Sequence, residues 1–450
     1  MAGISTSYDP ATTAQALAES FTSGRQSILT RQSTQATAAE KGLSTLGTAL
    51  SSFQSSLAAL TSVNKTLAAS SAVFSDTGIA SASATAAATA GTYSFFVEQV
   101  ASAHKVSYSG LSDFAGGGSL TLGVGAGTFS VDLSTKPTWT VRDLAAAING
   151  ATGNTSMSAS VVTTGATSEL VLTSTATGAA NTITVASTGA DATLAAKLGA
   201  APNQLAPAKD TIVRIGSATG TAITQANNTL NVIDGVTMTI SKAQTAGSAP
   251  VTLTVASDPA KTTSNVQAFV DAYNKLKSAI DGLVSPGDPA SGGAAGAFAG
   301  DSGVRALRDR LVSMVRGGGA TSLAGYGIIA NRQGTLSLDS TRLTKALATN
   351  PRGLDTLIGS ASSTTPSGIA GQLDTYLKVW TNSANGQINS RRDAVGKLQT
   401  SLTARQSALD KQYDSAYARY LAQFSQLQTV QSSMSYNTSL FDALFSSSKD

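Results

Sequence analysis

LSTLGTALSSFQSSLAALTSVNKTL, residues 43–67, sets Leu43, Leu46, Leu50, Phe53, Leu57, Leu60 and Leu67 in alternating short steps, with Asn64 in the remaining polar slot. That period is a heptad seam, and a seam requires a helical partner. The other long helical pattern of comparable regularity runs from about Ile388 to Met434. A third run, Val266, Phe269, Tyr273, Leu276, Ile280 and Leu283, stops at Pro286-Gly287 and reads as the return partner of the seam. Distant ends that pair make the middle of the chain an insertion. The expected fold is α+β and multidomain: a helical coiled-coil stalk formed by N- and C-terminal segments, with two nested antiparallel β-rich domains inserted. The stalk interface expected is the seam itself together with Phe269, Tyr273, Leu276 and Ile280.

Outward from the seam, Ala11 to Glu40 is rich in Ala, Ser, Thr and Gln, with Leu17, Phe21 and Ile28 as its widely spaced apolar positions. So thin a stripe predicts a helix that is frayed alone and ordered in an assembly. Past Phe74 the period shortens to that of strands. Tyr93, Phe95 and Val97 share one face, and further strands are expected over 120–124, 128–133, 158–163, 169–174 and 181–185. One helix interrupts them, with Thr140 as N-cap, Asp143 at its positive end, Leu144 and Ile148 inward, and Asn149-Gly150 as a left-handed C-cap. A linker or short helix over 195–208 precedes a second β region at 211–215, 230–233, 236–240 and 250–255. Helix resumes at Thr262. Leu409, Tyr413, Ala416, Tyr420, Phe424, Leu427 and Met434 mark the last long helix, and Leu440, Phe441, Leu444 and Phe445 follow as an apolar cluster on a polar tail.

The expected division is a flexible or coiled-coil leg at 1–42, a stalk at 43–73, an inner β domain at 74–109 and an outer one at 110–205. The inner domain resumes at 206–257, the stalk at 258–408, and a coiled-coil leg follows at 409–450. The length, 450 residues, fits several cores rather than one. Charged residues at 12% and aromatics at 5% suit extended surface proteins more than a densely packed enzyme. A net charge of +4, with Lys and Arg read as spread along the chain, predicts no nucleic-acid partner. The absence of Cys excludes disulfides and thiolate chemistry, and it suits a chain that crosses an export channel unfolded. Met1 to Ser20 contain no basic residue and no apolar core, so no cleaved signal is expected. No apolar run reaches the length of a bilayer span, so no membrane insertion is expected.

The inventory opposes an enzyme, and no catalytic residue, cofactor or metal site is expected. His104 is the sole histidine and reads as a surface or turn residue. Gly123 to Gly127 imitates a dinucleotide loop, but a strand rather than a helix follows, so the reading is a hairpin turn. Gly317-Gly318-Gly319 lacks the Lys-Ser/Thr of a phosphate loop and reads as a hinge. Asp143 and Asp339 are explained as helix starts.

Several segments, in this order, resemble the hook-associated protein 2 family of flagellar filament caps. They are Gly91-Thr92-Tyr93-Ser94, Ala103-His104-Lys105-Val106, Asp234-Gly235-Val236-Thr237-Met238-Thr239-Ile240, Phe269-Val270-Asp271-Ala272-Tyr273-Asn274, Gly300-Asp301-Ser302 and Gly334-Thr335-Leu336-Ser337-Leu338-Asp339. Val141 to Asn149, with Glu169 to Ser174 and Gly178 to Asn181, is similar to the Ile-Asn module of flagellar axial proteins. At Ser7-Tyr8-Asp9-Pro10 the chain departs from the Gly-rich turn and Leu-Asp pair usual in the family. The resemblance implies a secreted protein, exported by the type III route to the filament tip. There it would form a homo-oligomeric ring, a pentamer in the filament, and promote flagellin folding and insertion while preventing leakage of monomers. It also implies contacts with hook-associated junction proteins and an export chaperone, with Leu440, Phe441, Leu444 and Phe445 as the chaperone- or filament-binding positions. The rival reading is a surface adhesin whose Thr- and Ser-rich outer module binds host mucin or glycans, although no aromatic sugar platform is evident around Trp139.

Overall fold

The computed structural model describes residues 9–61, 65–164, 167–288, 290, 292–317, 322–362 and 364–446. Asn64 and residues 318 and 319 of the glycine hinge lie outside them. The chain opens with α1 (Pro10–Thr61), then β1 (Ser70–Phe74), β2 (Ala80–Ala84), β3 (Gly91–Gln99), β4 (Ala103–Leu111), β5 (Phe114–Ala115), β6 (Ser119–Val124), β7 (Gly127–Asp132) and β8 (Thr138–Trp139). Next come α2 (Val141–Gly150), β9 (Met157–Thr164), β10 (Thr167–Thr177), β11 (Ile183–Thr188), α3 (Ala192–Gly199), β12 (Asn203–Ala206), β13 (Thr211–Ile215) and β14 (Ala222–Gln225). β15 (Thr229–Ile233), β16 (Val236–Ile240) and β17 (Val251–Ser257) complete the insertion. α4 (Pro259–Val284), α5 (Ser302–Val315), β18 (Ile328–Ala330), β19 (Leu336–Leu338), α6 (Ser340–Thr349), α7 (Gly353–Ile358), α8 (Gly368–Thr381) and α9 (Gln387–Ser446) follow. Contacts divide the chain into a helical unit, 1–63 with 265–450, and a β-rich unit, 64–264. The fold is therefore α+β and multidomain, with the chain ends together in the helical unit.

In the helical unit α1 starts on Asp9, whose carboxylate accepts from the Ala11 and Thr12 N–H groups while Pro10 occupies the first helical position, where it has no amide hydrogen to leave unpaired. Leu43, Leu46, Leu50, Phe53 and Leu57 are buried, but not in a two-stranded seam. Phe53 meets Tyr273 of α4 edge-on at 6.4 Å, Gln54 is bonded to Asp374 and Thr381 of α8, and Gly47 faces Ile388 of α9. The stripe is thus the axis of a helix bundle. Leu60 is only partly buried, and Leu67 lies beyond the end of α1, buried in the β-rich unit, so neither extends a seam. Gly42 marks the tightest approach: a Cβ there would stand 2.8 Å from the Ala297 methyl.

The β-rich unit holds two modules with separate cores. The first pairs strands in the order β1-β17-β3-β13-β14, with β15-β16-β2 beside them, around Phe74, Phe95, Leu230, Met238 and Leu253. Val236, Met238 and Ile240 are buried while Thr237 and Thr239 are exposed, as a half-solvated antiparallel strand requires. The second is inserted in it and consists of β12-β4-β10-β9, β11-β6-β7 and α2 around Leu120, Leu122, Leu144, Ile148 and Leu172. The crossing between modules is the bridge Ser102↔Lys209, so β4 belongs wholly to the inserted module, and the boundary expected at 109/110 lies near 102. β1 likewise starts at Ser70, inside the stretch expected to be stalk.

α2 shows what the Ile-Asn pair does. Thr140 and Asp143 form a capping box at its start, and Lys136 with these hydrogen bonds holds the Asp143 carboxyl far below the usual carboxylate range. Ile148 is fully buried, and the Asn149 amide exchanges two 2.8 Å bonds with the backbone of Ala159, fastening α2 to β9. The expected left-handed cap at Asn149-Gly150 does not form. Ala151 closes the helix in extended conformation, and Asn154 donates to the Ile148 carbonyl.

Candidate assembly surfaces

Outside the bundle, α1 and α9 continue as a pair of antiparallel arms. Leu29 and Ala36 pack on Leu402 and Leu409, and Ala14, Ala18 and Ala416 are also buried. Arg25 is bonded to Gln412, and Gln26 exchanges amide bonds with Gln406. The pairing of the chain ends is as expected from the sequence, but the α1 residues that make it were missed, because Ala and Thr carry little apolar signal. Their visible trace is the recurrence of Ala14, Ala18, Thr22, Leu29 and Ala36 on one face. The positions that did stand out, Leu17, Phe21 and Ile28, point to solvent, with exposures of 39%, 49% and 47%. The leg boundaries expected at 42/43 and 408/409 both fall within unbroken helices. What changes at the first is packing, from small side chains to leucines.

At the joint between bundle and arm, Arg391 of α9 forms an ion pair with Asp301, the N-cap of α5, and lies 5.3 Å over the Trp380 ring. Burial raises the Asp301 pKa, but the guanidinium and the Val304 N–H outweigh it and hold the carboxyl below its usual range. Sequence gave no sign of this pair, whose members lie ninety residues apart. In the bundle, Phe269, Tyr273, Leu276 and Ile280 are all buried on α4. The Tyr273 hydroxyl is deeply buried, and burial with the nearby Asp281 charge drives its pKa well up.

The terminal cluster is not on a tail beyond the last helix. Leu440, Phe441 and Leu444 lie on α9 itself, exposed by 45%, 60% and 63%, and Phe441 and Leu444 continue a seven-residue pattern from Leu427, Val430 and Met434. The Phe445 side chain lies outside the described residues. This exposed ridge at the end of α9 and the Leu17–Phe21–Ile28 ridge on α1 are the large apolar features of the arms.

The remaining sequence candidates prove structural. His104 is neither on the surface nor in a turn: it is buried in β4, its Nδ1 accepts from the Ile183 N–H at 2.8 Å, and burial depresses its pKa. Gly125-Ala126 forms the turn of the β6–β7 hairpin. Asp339 caps α6 by accepting from the Arg342 N–H. Trp139 is buried, stacked on Phe114 and donating to the Leu133 carbonyl, so it offers no sugar platform. Among the described residues no group of His, Cys, Asp and Glu is placed to hold a metal ion, and no helix is long and apolar enough to cross a membrane.

Comparison with known proteins agrees with this geometry. Residues 208–436 match the flagellar hook-associated protein 2 C-terminus family, residues 6–104 its N-terminus family, and residues 119–176 the flagellin hook IN motif. The lateral flagellar hook-associated protein 2 of Vibrio parahaemolyticus is 32% identical, over 82% of this chain and 84% of its own. The B-type flagellar hook-associated protein 2 of Pseudomonas aeruginosa is 31% identical, over 86% and 85% respectively. The crystal structure of the D1-D2-D3 domains of the flagellar cap protein from Escherichia coli superposes with a TM-score of 0.61, covering 79% of this chain and 99% of that one at 24% identity, and so shares the fold. The chain belongs to the flagellar hook-associated protein 2 family, the caps of the flagellar filament.

Proposed function

We propose that the terminal arms are the part of this cap that engages the filament, while the bundle and the β modules hold copies of the chain together as a ring. The observation that carries the reading is the arm pair itself. Its mutual interface consists largely of Ala, Thr and single Leu residues, yet its outward faces display Leu17, Phe21, Ile28 and the ridge from Leu427 to Leu444. A helix pair that buries its small side chains and exposes its large ones is suited to packing against further helices. Flagellin arriving at the tip would supply them, and contacts of this modest size release readily enough for the cap to advance as each subunit folds and inserts. The ring in the filament is read as a pentamer. Hook-associated junction proteins are read as the surface on which the first cap sits.

Before assembly, the same ridge at Leu440, Phe441 and Leu444, with Phe445 next in sequence, is the segment we assign to an export chaperone, which would keep the apolar positions covered until the chain leaves the cell. Export by the type III route, no enzymatic activity, and no nucleic-acid or membrane partner complete the reading. Deleting residues 1–40 tests it. The truncated protein is expected to retain its oligomeric state in solution, while cells carrying it show bare hooks by electron microscopy and unpolymerised flagellin in the medium. Normal filaments from the truncated protein would refute the arm assignment.

A further inference from the structure

The stretch 302–352 carries eight Lys and Arg against two Asp, whereas the whole chain nets only +4. Positive charge is therefore concentrated here rather than spread along the chain. Of these cations only Arg308 has a carboxylate partner among the described residues, its neighbour Asp309. Helix α5 buries Val304, Leu307, Leu311 and Val315, and its spacing sets Arg305, Arg308, Val312 and Arg316 along one flank of the solvent side.

The β18–β19 turn, residues 331–335, closes over that flank. Gly334 sits at φ +85°, and a Cβ there would come 2.5 Å from a Val312 methyl, so the turn settles on α5 only because the residue is glycine. Arg316 Nη2 donates to the carbonyl oxygens of Asn331 and Arg332 and holds the turn in place. Lys277 of α4 is buried at the base and paired with Asp281. The result is a pocket of about 750 Å³ lined by Lys277, Asp281, Arg308, Asp309, Arg316 and Arg332. Four cations face two carboxylates, and the exposed Arg332 side chain has no partner among the described residues.

Arg308 is paired with Asp309 and Arg316 with the turn carbonyls, so Arg332 is the guanidinium left to take an incoming planar anion, which it can bind bidentately. No aromatic side chain lines the pocket to stack a nucleotide base, and a recess between a helix and a turn does not follow a flat bilayer. We infer that this pocket docks the carboxylate-rich surface of a partner protein, an Asp or Glu side chain seating against Arg332. The contact is electrostatic, so it forms fast and weakens with salt. It involves no residue of the arms and does not depend on the arm assignment.

Fluorescent poly-L-glutamate, titrated with the full chain and followed by anisotropy over a NaCl series, tests the inference. Binding at low salt is expected to fade as salt rises, and Arg332→Glu to weaken it by about tenfold or more. Arg310→Glu changes the net charge equally, but α5 turns Arg310 away from the pocket, so a loss of less than about twofold is expected from it. Circular dichroism melts of both variants should match the parent, because neither side chain packs in the core. No binding at low salt, an equal loss from both variants, or tighter binding of duplex DNA or phosphatidylglycerol vesicles than of polyglutamate would overturn the proposal.

Discussion

The two halves of α1 are one continuous helix with two kinds of interior. Between Leu43 and Leu57 it buries four leucines and a phenylalanine at the centre of a bundle, while between Ala14 and Ala36 it buries three alanines, a threonine and one leucine, with Leu29 and Ala36 packed on α9. Burying a leucine or phenylalanine contributes about 1.5–3 kcal/mol and a methyl-sized side chain about 0.8. The Leu43–Leu57 half is therefore secured by the bundle, whereas the Ala14–Ala36 half is marginal until something else covers it. The contrast teaches that helical continuity and stability are separate properties, and that a cap can hold both a rigid seat and a yielding arm on one backbone.

The strongest way to break the comparison is Leu50→Asp. A carboxylate at a fully buried position with no partner is expected to cost about 5 kcal/mol or more and to unfold the bundle, read as loss of cooperative denaturant unfolding. If helicity and oligomeric state survived, the bundle half would be no more essential than the arm. Leu29→Ala is the matched experiment in the arm. It is expected to cost about 2 kcal/mol, at the low end for a buried leucine. The loss should show as faster amide hydrogen exchange over residues 10–40, with the bundle transition unmoved.

The apolar stripe at Leu43–Leu57 was legible because large side chains recur there at every three or four residues without a gap, which marks a buried face. How many helices cover that face was not legible, since a bundle axis and a two-stranded seam share the same period. The arm was misread for the opposite reason. Ala14, Ala18 and Thr22 gave no contrast with their neighbours, so Leu17, Phe21 and Ile28 drew the eye although they lie outside. In the β-rich unit the alternation of 103–111 fitted either module, and only pairing with β10 and β12 assigned it. His104 could not be placed from sequence, because the N–H it accepts from belongs to Ile183, far along the chain. The family resemblance rested on the order of motifs, and that order is a property sequence does carry.

Mild acid sharpens the comparison by acting on neither half of α1. In its folded setting His104 is held neutral, with its pKa below the ordinary value near 6.5, so the unfolded β-rich unit binds the proton more readily. The stability this contributes is present above pH 6.5 and is lost as pH falls through the depressed folded value. The β-rich unit is expected to melt earlier at pH 5 than at pH 7.5, and His104→Gln should flatten that difference. The sole histidine lies outside the helical unit, so exchange over residues 10–57 should not share the histidine-dependent change. If it did, the two units would be coupled more tightly than their separate cores suggest.

The smallest effect on the isolated chain should be the most informative in the filament. Phe21 is half exposed on the outward face of the arm, with Arg25 stacked over its ring at 5.7 Å. Phe21→Ser removes that stacking and an exposed ring, so a change within about 0.5 kcal/mol is expected, with hydrogen exchange in the arm nearly unaltered. In the assembly the same ring is proposed to lie against a flagellin helix, where an aromatic anchor counts for far more than its neighbours. Filaments should then be short or absent, and flagellin should accumulate in the medium, although the purified variant is as stable as its parent. Ser at Ala18 provides the converse. It adds a hydroxyl to the buried face, loosens the pair of arms, and leaves the outward ridge intact. If Ala18→Ser and Phe21→Ser impaired filament growth equally, the arm would act through its own stability. A defect confined to Phe21→Ser would place the working surface on the outside of the helix.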